Sequence, residues 1–161
     1  MITTYIGIGS NIDRRKHIQA AITELGTLGC DIRLSTIYEC ESIGFESHAF
    51  YNLVVEMKTS LTLTKFSRQL RKIELKWGRD ENAGKFEPRT VDLDIILFGD
   101  QTCSSKPEIP RGDIFKYAFV LKPLFELCPQ LVVPHDGRTI EQIWQQTSFD
   151  TDLEAIPLWF N

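Results

Sequence analysis

The octapeptide Pro88-Arg89-Thr90-Val91-Asp92-Leu93-Asp94-Ile95 carries the densest chemistry in the chain. Residues 91–98 are an apolar run broken only by Asp92 and Asp94, and its β-branched, apolar content predicts a strand. Residues two apart on a strand share a face. Asp92 and Asp94 therefore stand side by side on one face, with Val91, Leu93 and Ile95 on the other. Two carboxylates that close repel unless a cation lies between them. Hard oxygen donors on a rigid strand suit Mg²⁺, which is usually held by one or two carboxylates together with substrate phosphates. Arg89, just upstream, offers a guanidinium that matches phosphate geometry. Metal carboxylates beside a phosphate-binding arginine are what phosphoryl transfer requires. Alternating Asp is also what a merely solvated strand face presents. The Leu, Ile and Phe neighbours point instead to a central strand, where unpaired surface carboxylates are less usual.

The elements that must position this pair follow from periodicity. Residues 3–9 alternate β-formers and run into Gly9-Ser10-Asn11, a turn and helix-cap signal. Residues 14–28 form an amphipathic helix with Ile18, Ala21, Ile22, Leu25 and Leu28 on one stripe. Residues 32–38 read as a second strand, and 39–49 as a polar loop. A third strand spans 50–58, with Leu53, Val55 and Met57 on one side and Asn52, Val54 and Glu56 on the other. Residues 63–77 form a second helix burying Phe66, Leu70, Ile73 and Trp77, and Gly78 stops it. Residues 79–88 have no period and lead straight into the Asp pair, so they are placed to fold over a ligand. After the fourth strand come loops around Pro107 and Pro110, a helical segment at 119–127 and a last helix at 139–146. The order β-α-β-β-α-β predicts an α+β fold of the ferredoxin-like kind. It is an antiparallel sheet with helices on one face and extra C-terminal elements.

Composition narrows the function classes. A chain of 161 residues with 42% hydrophobic and 25% charged residues suits one globular domain over its whole length. A net charge of −4 argues against bulk nucleic-acid binding. No apolar run approaches a membrane span, and no secretory pattern opens the chain. Cys30, Cys40, Cys103 and Cys128 are scattered without metal-site spacing, which fits a reduced cytoplasmic protein. His17, His48 and His135 are isolated and expected at the surface.

Further motifs extend the picture end to end: Tyr5-Ile6-Gly7-Ile8-Gly9-Ser10-Asn11, Phe50-Tyr51-Asn52, Ile73-Glu74-Leu75 before Gly78-Arg79, and Pro123-Leu124-Phe125-Glu126. With the Pro-Arg-Thr-x-Asp-Leu-Asp-Ile segment, the chain resembles the 6-hydroxymethyl-7,8-dihydropterin pyrophosphokinases of folate biosynthesis. The resemblance implies transfer of the pyrophosphoryl group of ATP to the hydroxymethyl oxygen of a reduced pterin, giving AMP. It implies two Mg²⁺ ions at Asp92 and Asp94, and catalytic, phosphate-binding roles for Arg79 and Arg89. Glu74, Ile95 and Arg111 match positions at or near the nucleotide. Asn52 and Phe119 match the residues that hydrogen-bond and stack on the pterin, and Ile43, Gly44 and Phe86 fall around the same pocket. ATP and a reduced pterin would be the small-molecule substrates, with neither nucleic acid nor membrane as partner. Other folate-pathway enzymes are the candidate protein partners.

The chain departs from that family pattern at several points. Arg111 stands where His usually follows Pro110, and Lys116-Tyr117 where Asn-Arg is common. Glu81 replaces a second loop arginine, reversing charge beside a polyphosphate, and Phe86 replaces a tryptophan. Residues 40–44 (Cys-Glu-Ser-Ile-Gly) lack the usual prolines. A catalytically weak paralogue that binds nucleotide or pterin as a regulatory module is therefore an alternative, as is the same chemistry on an altered pterin.

Overall fold

The computed structural model describes residues 1–40, 49–78, 90–149 and 153–160. Strand β1 (Ile2–Ser10) is followed by α1 (Arg14–Leu25), β2 (Cys30–Leu34), β3 (Ile37–Cys40), β4 (Phe50–Thr59), α2 (Leu63–Lys76) and β5 (Asp92–Phe98). A 3-10 turn (Gly112–Phe115), α3 (Ala118–Leu127), α4 (Ile140–Gln146) and a short β6 (Glu154–Ile156) complete the order. The six strands form one sheet in the order β5-β1-β4-β3-β6, with β2 also on β4; β5, expected to be central, is instead an edge strand, and its apolar residues are buried by the elements packed on the two faces of the sheet rather than by a second flanking strand. Every pairing is antiparallel.

The architecture is α+β, as the element order predicts, but the second expected strand is broken in two. At the break Ser35 still pairs with Val54, its N–H donating to the Val54 carbonyl and its hydroxyl accepting from the Val54 N–H. The Thr36 N–H instead turns away and donates to Glu126 of α3. Tyr38 also donates its hydroxyl to Glu126, so one carboxylate on α3 holds the bend in the sheet edge.

Strand alternation divides the sheet into two apolar faces. Ile6 and Ile8 of β1, Leu53, Val55 and Met57 of β4, and Leu93 and Ile95 of β5 pack under α1 and α2. The α2 stripe of Phe66, Leu70 and Ile73 meets them, as its spacing predicts. Burying one such side chain is worth about 1.5–3 kcal/mol. On the other face Tyr5, Val54, Ile96 and Leu97 pack with Ile114, Val120, Leu121, Leu124, Ile140 and Ile143. The C-terminal elements are thus not decoration, because they cover the face that α1 and α2 leave bare.

Other differences are local. Strand β1 continues through Gly9 and Ser10, where the residue types suggest a turn. The start of α1 has no side-chain cap, and its N-cap is Asp13 in the left-handed region. His17, expected at the surface, is buried; its Nδ1 lies 2.7 Å from the Ile12 carbonyl and its ring meets Trp77 edge-on. Strand β6, which no sequence period marks, pairs with β3, and beyond it Trp159 packs tilted on Tyr51. All four cysteines are free. Among the described residues no helix is long and apolar enough to cross a membrane.

Candidate active site

Asp92 and Asp94 lie where the alternation puts them, on the face opposite Val91, Leu93 and Ile95, which are buried beneath α1 and α2. Pairing then decides what faces them. Asp92 is registered with Gly9 of β1, and Gly9 with Asn52 of β4. Asp94 is registered with Gly7, and Gly7 with Val54. Two rows therefore cross the same face, each with a glycine in the middle. A Cβ at Gly9 would lie 2.8 Å from Asn52 Oδ1 and 3.7 Å from Phe50 Cδ1. A Cβ at Gly7 would lie 3.1 Å from Ile96 Cδ1. Gly9 thus keeps a side chain out of the row between Asp92 on β5 and the Asn52 amide and Phe50 ring on β4, while the space over Gly7 is filled by the buried Ile96 side chain. Two strand spacings make that row roughly 10 Å wide.

The flanks of β5 are held on its free edge. The Leu93 N–H, between the two Asp residues, donates to Glu74 Oε2 of α2 at 2.8 Å. Tyr5 pairs with Leu97 and Ile6 with Ile95, so Ile96 is an extra residue, a β-bulge. Its carbonyl accepts from the Arg111 N–H at 2.9 Å. This places the Arg111 guanidinium over the site, with Nη2 3.7 Å from Asp94 Oδ2 and Nε 3.0 Å from Asp113 Oδ2. Burial disfavours the charge on Arg111, but Asp94, Asp113 and Asp92 outweigh it and leave its pKa raised. Upstream, the buried Ser10 hydroxyl is within hydrogen-bond reach of the Thr90 and Ile12 carbonyls, tying the approach to β5 against the end of β1.

The far wall is built from β4 and α3. Asn52 donates its amide to Cys40 Sγ, leaving Oδ1 turned toward Gly9. Burial pushes the Cys40 thiol up to about 11, so it is neutral at ordinary pH. Phe119 opens α3 on this face, stacked on Tyr117 with ring centroids 4.9 Å apart and 18° between planes.

The donor set fits Mg²⁺ rather than a softer metal. Two part-exposed carboxylates share one face, and a guanidinium already stands as a cation at Asp94. Among the described residues no group of three or more His, Cys, Asp or Glu side chains gathers. A metal here would draw its remaining ligands from water and phosphate, as Mg²⁺ does.

The structure thus brings Asp92, Asp94, Asn52 and Arg111 to one face, with Phe119 on the α3 side of it. It does not bring Ile95 or Glu74 there. The Ile95 side chain is in the core on the opposite face, because it is one residue out of phase with the Asp pair. Glu74 is buried on α2 and engages backbone. Ile43, Gly44, Arg79, Glu81, Phe86 and Arg89 lie outside the described residues. Sequence reasoning missed Gly9, Phe50 and Asp113 as parts of the site. The signal was available for Gly9, since glycine inside a strand marks a close approach.

Comparison with known proteins settles the kinship. The family model for 7,8-dihydro-6-hydroxymethylpterin-pyrophosphokinase (HPPK) matches residues 5–129. The chain belongs to the HPPK family. It is 36% identical over 137 residues to the 2-amino-4-hydroxy-6-hydroxymethyldihydropteridine pyrophosphokinase of Aquifex aeolicus, covering 83% of this chain and 85% of that one. The Bacillus subtilis protein of the same name is 34% identical over 160 residues, covering 96% and 89%. Among solved structures, a Plasmodium falciparum HPPK-DHPS superposes with a TM-score of 0.66 at 14% identity. The match covers 91% of this chain but only 43% of that chain, so it bears on the fold alone. The HPPK match ends before α4 and β6.

Proposed function

We propose that this chain transfers the pyrophosphoryl group of ATP to the hydroxymethyl oxygen of 6-hydroxymethyl-7,8-dihydropterin, releasing AMP in folate synthesis. One observation carries this reading in an HPPK-family chain: a glycine-floored trough with carboxylates along one side and an amide and aromatic ring along the other. Such a trough takes a flat heterocycle beside a polyphosphate. Asn52 presents Oδ1 to a ring N–H, and an amide suits a pterin edge because it offers both donor and acceptor. Phe50 and Phe119 supply apolar surface for the ring faces. Gly9 lets the ring lie close to the sheet.

On the other side Asp92 and Asp94 would hold Mg²⁺, two ions by the family resemblance, which when bound neutralise the triphosphate and align it for attack. Arg111 lies within reach of the same phosphates, and Arg79 and Arg89 are assigned phosphate contacts. The work of the protein is positioning and charge stabilisation. The chain need only hold the hydroxymethyl oxygen in line with the β-phosphorus while α3 and the C-terminal elements limit water.

Glu74 acts through β5, fixing the backbone between the two carboxylates, and Ile95 acts by packing. Free thiols and an ATP-consuming reaction are consistent with a cytoplasmic site. The solved relatives titled HPPK-DHPS and the Pneumocystis carinii protein named folic acid synthesis protein fol1 support other folate enzymes as partners. The test is AMP release from ATP and Mg²⁺ in the presence of 6-hydroxymethyl-7,8-dihydropterin. Pterin-dependent AMP is expected. ATP binding without AMP formation, on this pterin, would overturn the assignment.

A further inference from the structure

We propose that Arg111 is a built-in counter-cation. In the ligand-free protein it stands at Asp94 in place of the metal, and Asp113 retains it when metal and nucleotide arrive. The inference rests on the metal reading of Asp92 and Asp94 above.

One guanidinium spans two carboxylates here. Its inner nitrogen, Nε, is the closer contact, 3.0 Å from Asp113 Oδ2, while the terminal Nη2 is 3.7 Å from Asp94 Oδ2. The backbone of Arg111 is pinned to the Ile96 carbonyl, so the residue cannot drift from the edge of β5. Its side chain is part-exposed, at 34%, as is that of Asp94, at 40%. The tip can therefore leave Asp94 without opening the core, and Asp113 keeps the inner nitrogen beside the site when it does.

The charges then couple metal to nucleotide. A dication approaching Asp94 meets a positive guanidinium a few ångströms away, and like charges at that range are costly even near a surface. The metal must displace Arg111, and without nucleotide the displaced tip falls back on Asp113. When ATP is present its phosphate oxygens accept the guanidinium in the planar, bidentate manner arginine favours. Metal and nucleotide therefore bind more tightly together than apart, and the coupling runs through this side chain.

The test uses the full chain with Mn²⁺ as a spectroscopic substitute for Mg²⁺, counting free ion by electron paramagnetic resonance. Binding is measured with and without α,β-methylene-ATP, which is not turned over. Arg111→Gln should raise Mn²⁺ affinity in the absence of nucleotide by roughly fivefold or more, within the usual range of site coupling. It should also weaken nucleotide binding and shrink the factor by which each ligand tightens the other. Asp113→Asn should lower Mn²⁺ affinity below wild type, because the guanidinium then loses the carboxylate that draws it away from the Asp92 and Asp94 side. Asp94→Asn tests the metal site independently of Arg111. Unchanged Mn²⁺ affinity in that variant would defeat the metal reading itself. Loss of Mn²⁺ binding in Asp94→Asn, with no gain in Arg111→Gln, would defeat the counter-cation alone. Circular dichroism of each variant checks that the fold is intact.

Discussion

Gly9 decides how close a ligand can come to the sheet. It sits between Asp92 and Asn52 in register, and a methyl group there would stand 2.8 Å from Asn52 Oδ1. That distance forces the Asn52 amide to rotate or the strands to part. Gly9→Ala should leave the fold nearly as stable as before, since the about 0.5–1 kcal/mol a strand gains from replacing glycine with alanine offsets the cost of turning the Asn52 amide aside. Pterin affinity should fall at least tenfold, about 1.4 kcal/mol. Calorimetric titration with the pterin checks this, and an unchanged dissociation constant would remove Gly9 from the binding floor. The reason lies in one side chain's absence, which residue types alone suggest only weakly. Asp92 and Asp94 are legible from their period; Gly9 reads in the sequence as a turn, because glycine signals turns more often than a close approach inside a strand.

Strand β5 is an edge strand, and its usefulness depends on what holds its free side. The Leu93 N–H is buried against Glu74, and the bulge carbonyl of Ile96 is met by Arg111. Removing the Glu74 acceptor leaves a buried N–H unpaired, which costs about 1–3 kcal/mol. Glu74→Ala should lower Tm by roughly 2–4 °C for each kcal/mol lost in a domain of this size. Glu74→Gln keeps an acceptor and should lose less. Thermal unfolding followed by circular dichroism compares the two. Equal loss in both would mean that the charge, and not the hydrogen bond to β5, matters. Helices α1 and α2 and strands β1, β4 and β5 were readable because their apolar periods are long and consistent. The β2–β3 break was not, because its cause is Glu126, remote in sequence, drawing away the Thr36 N–H. β6 is only three residues long, too short to show a period.

Across the whole molecule, both faces of the sheet are covered, and several acidic protons are buried with them. Burial pushes the Cys40 thiol from the usual 9.0 to about 11 and the Cys128 thiol to about 12. Burial and the Glu126 contact raise the Tyr38 hydroxyl to about 12. All three are held neutral by folding, while the unfolded chain releases the same protons at lower pH. Their contribution to stability is therefore complete below about pH 9 and drains away as pH rises toward 11–12. Denaturant midpoints should be level up to about pH 9 and fall above it; a midpoint that holds or rises there would contradict the burial. The sequence by itself determined the carboxylate pair, the faces of its strands, the two packing helices and the α+β class, because these depend on short periods of 2 and 3.6 residues. Only the tertiary structure decided that Gly9 lies between Asp92 and Asn52, that Arg111 reaches Asp94, and that the C-terminal helices pack on the second face. Those facts depend on strand register and on contacts between residues far apart in the chain, which local patterns do not encode.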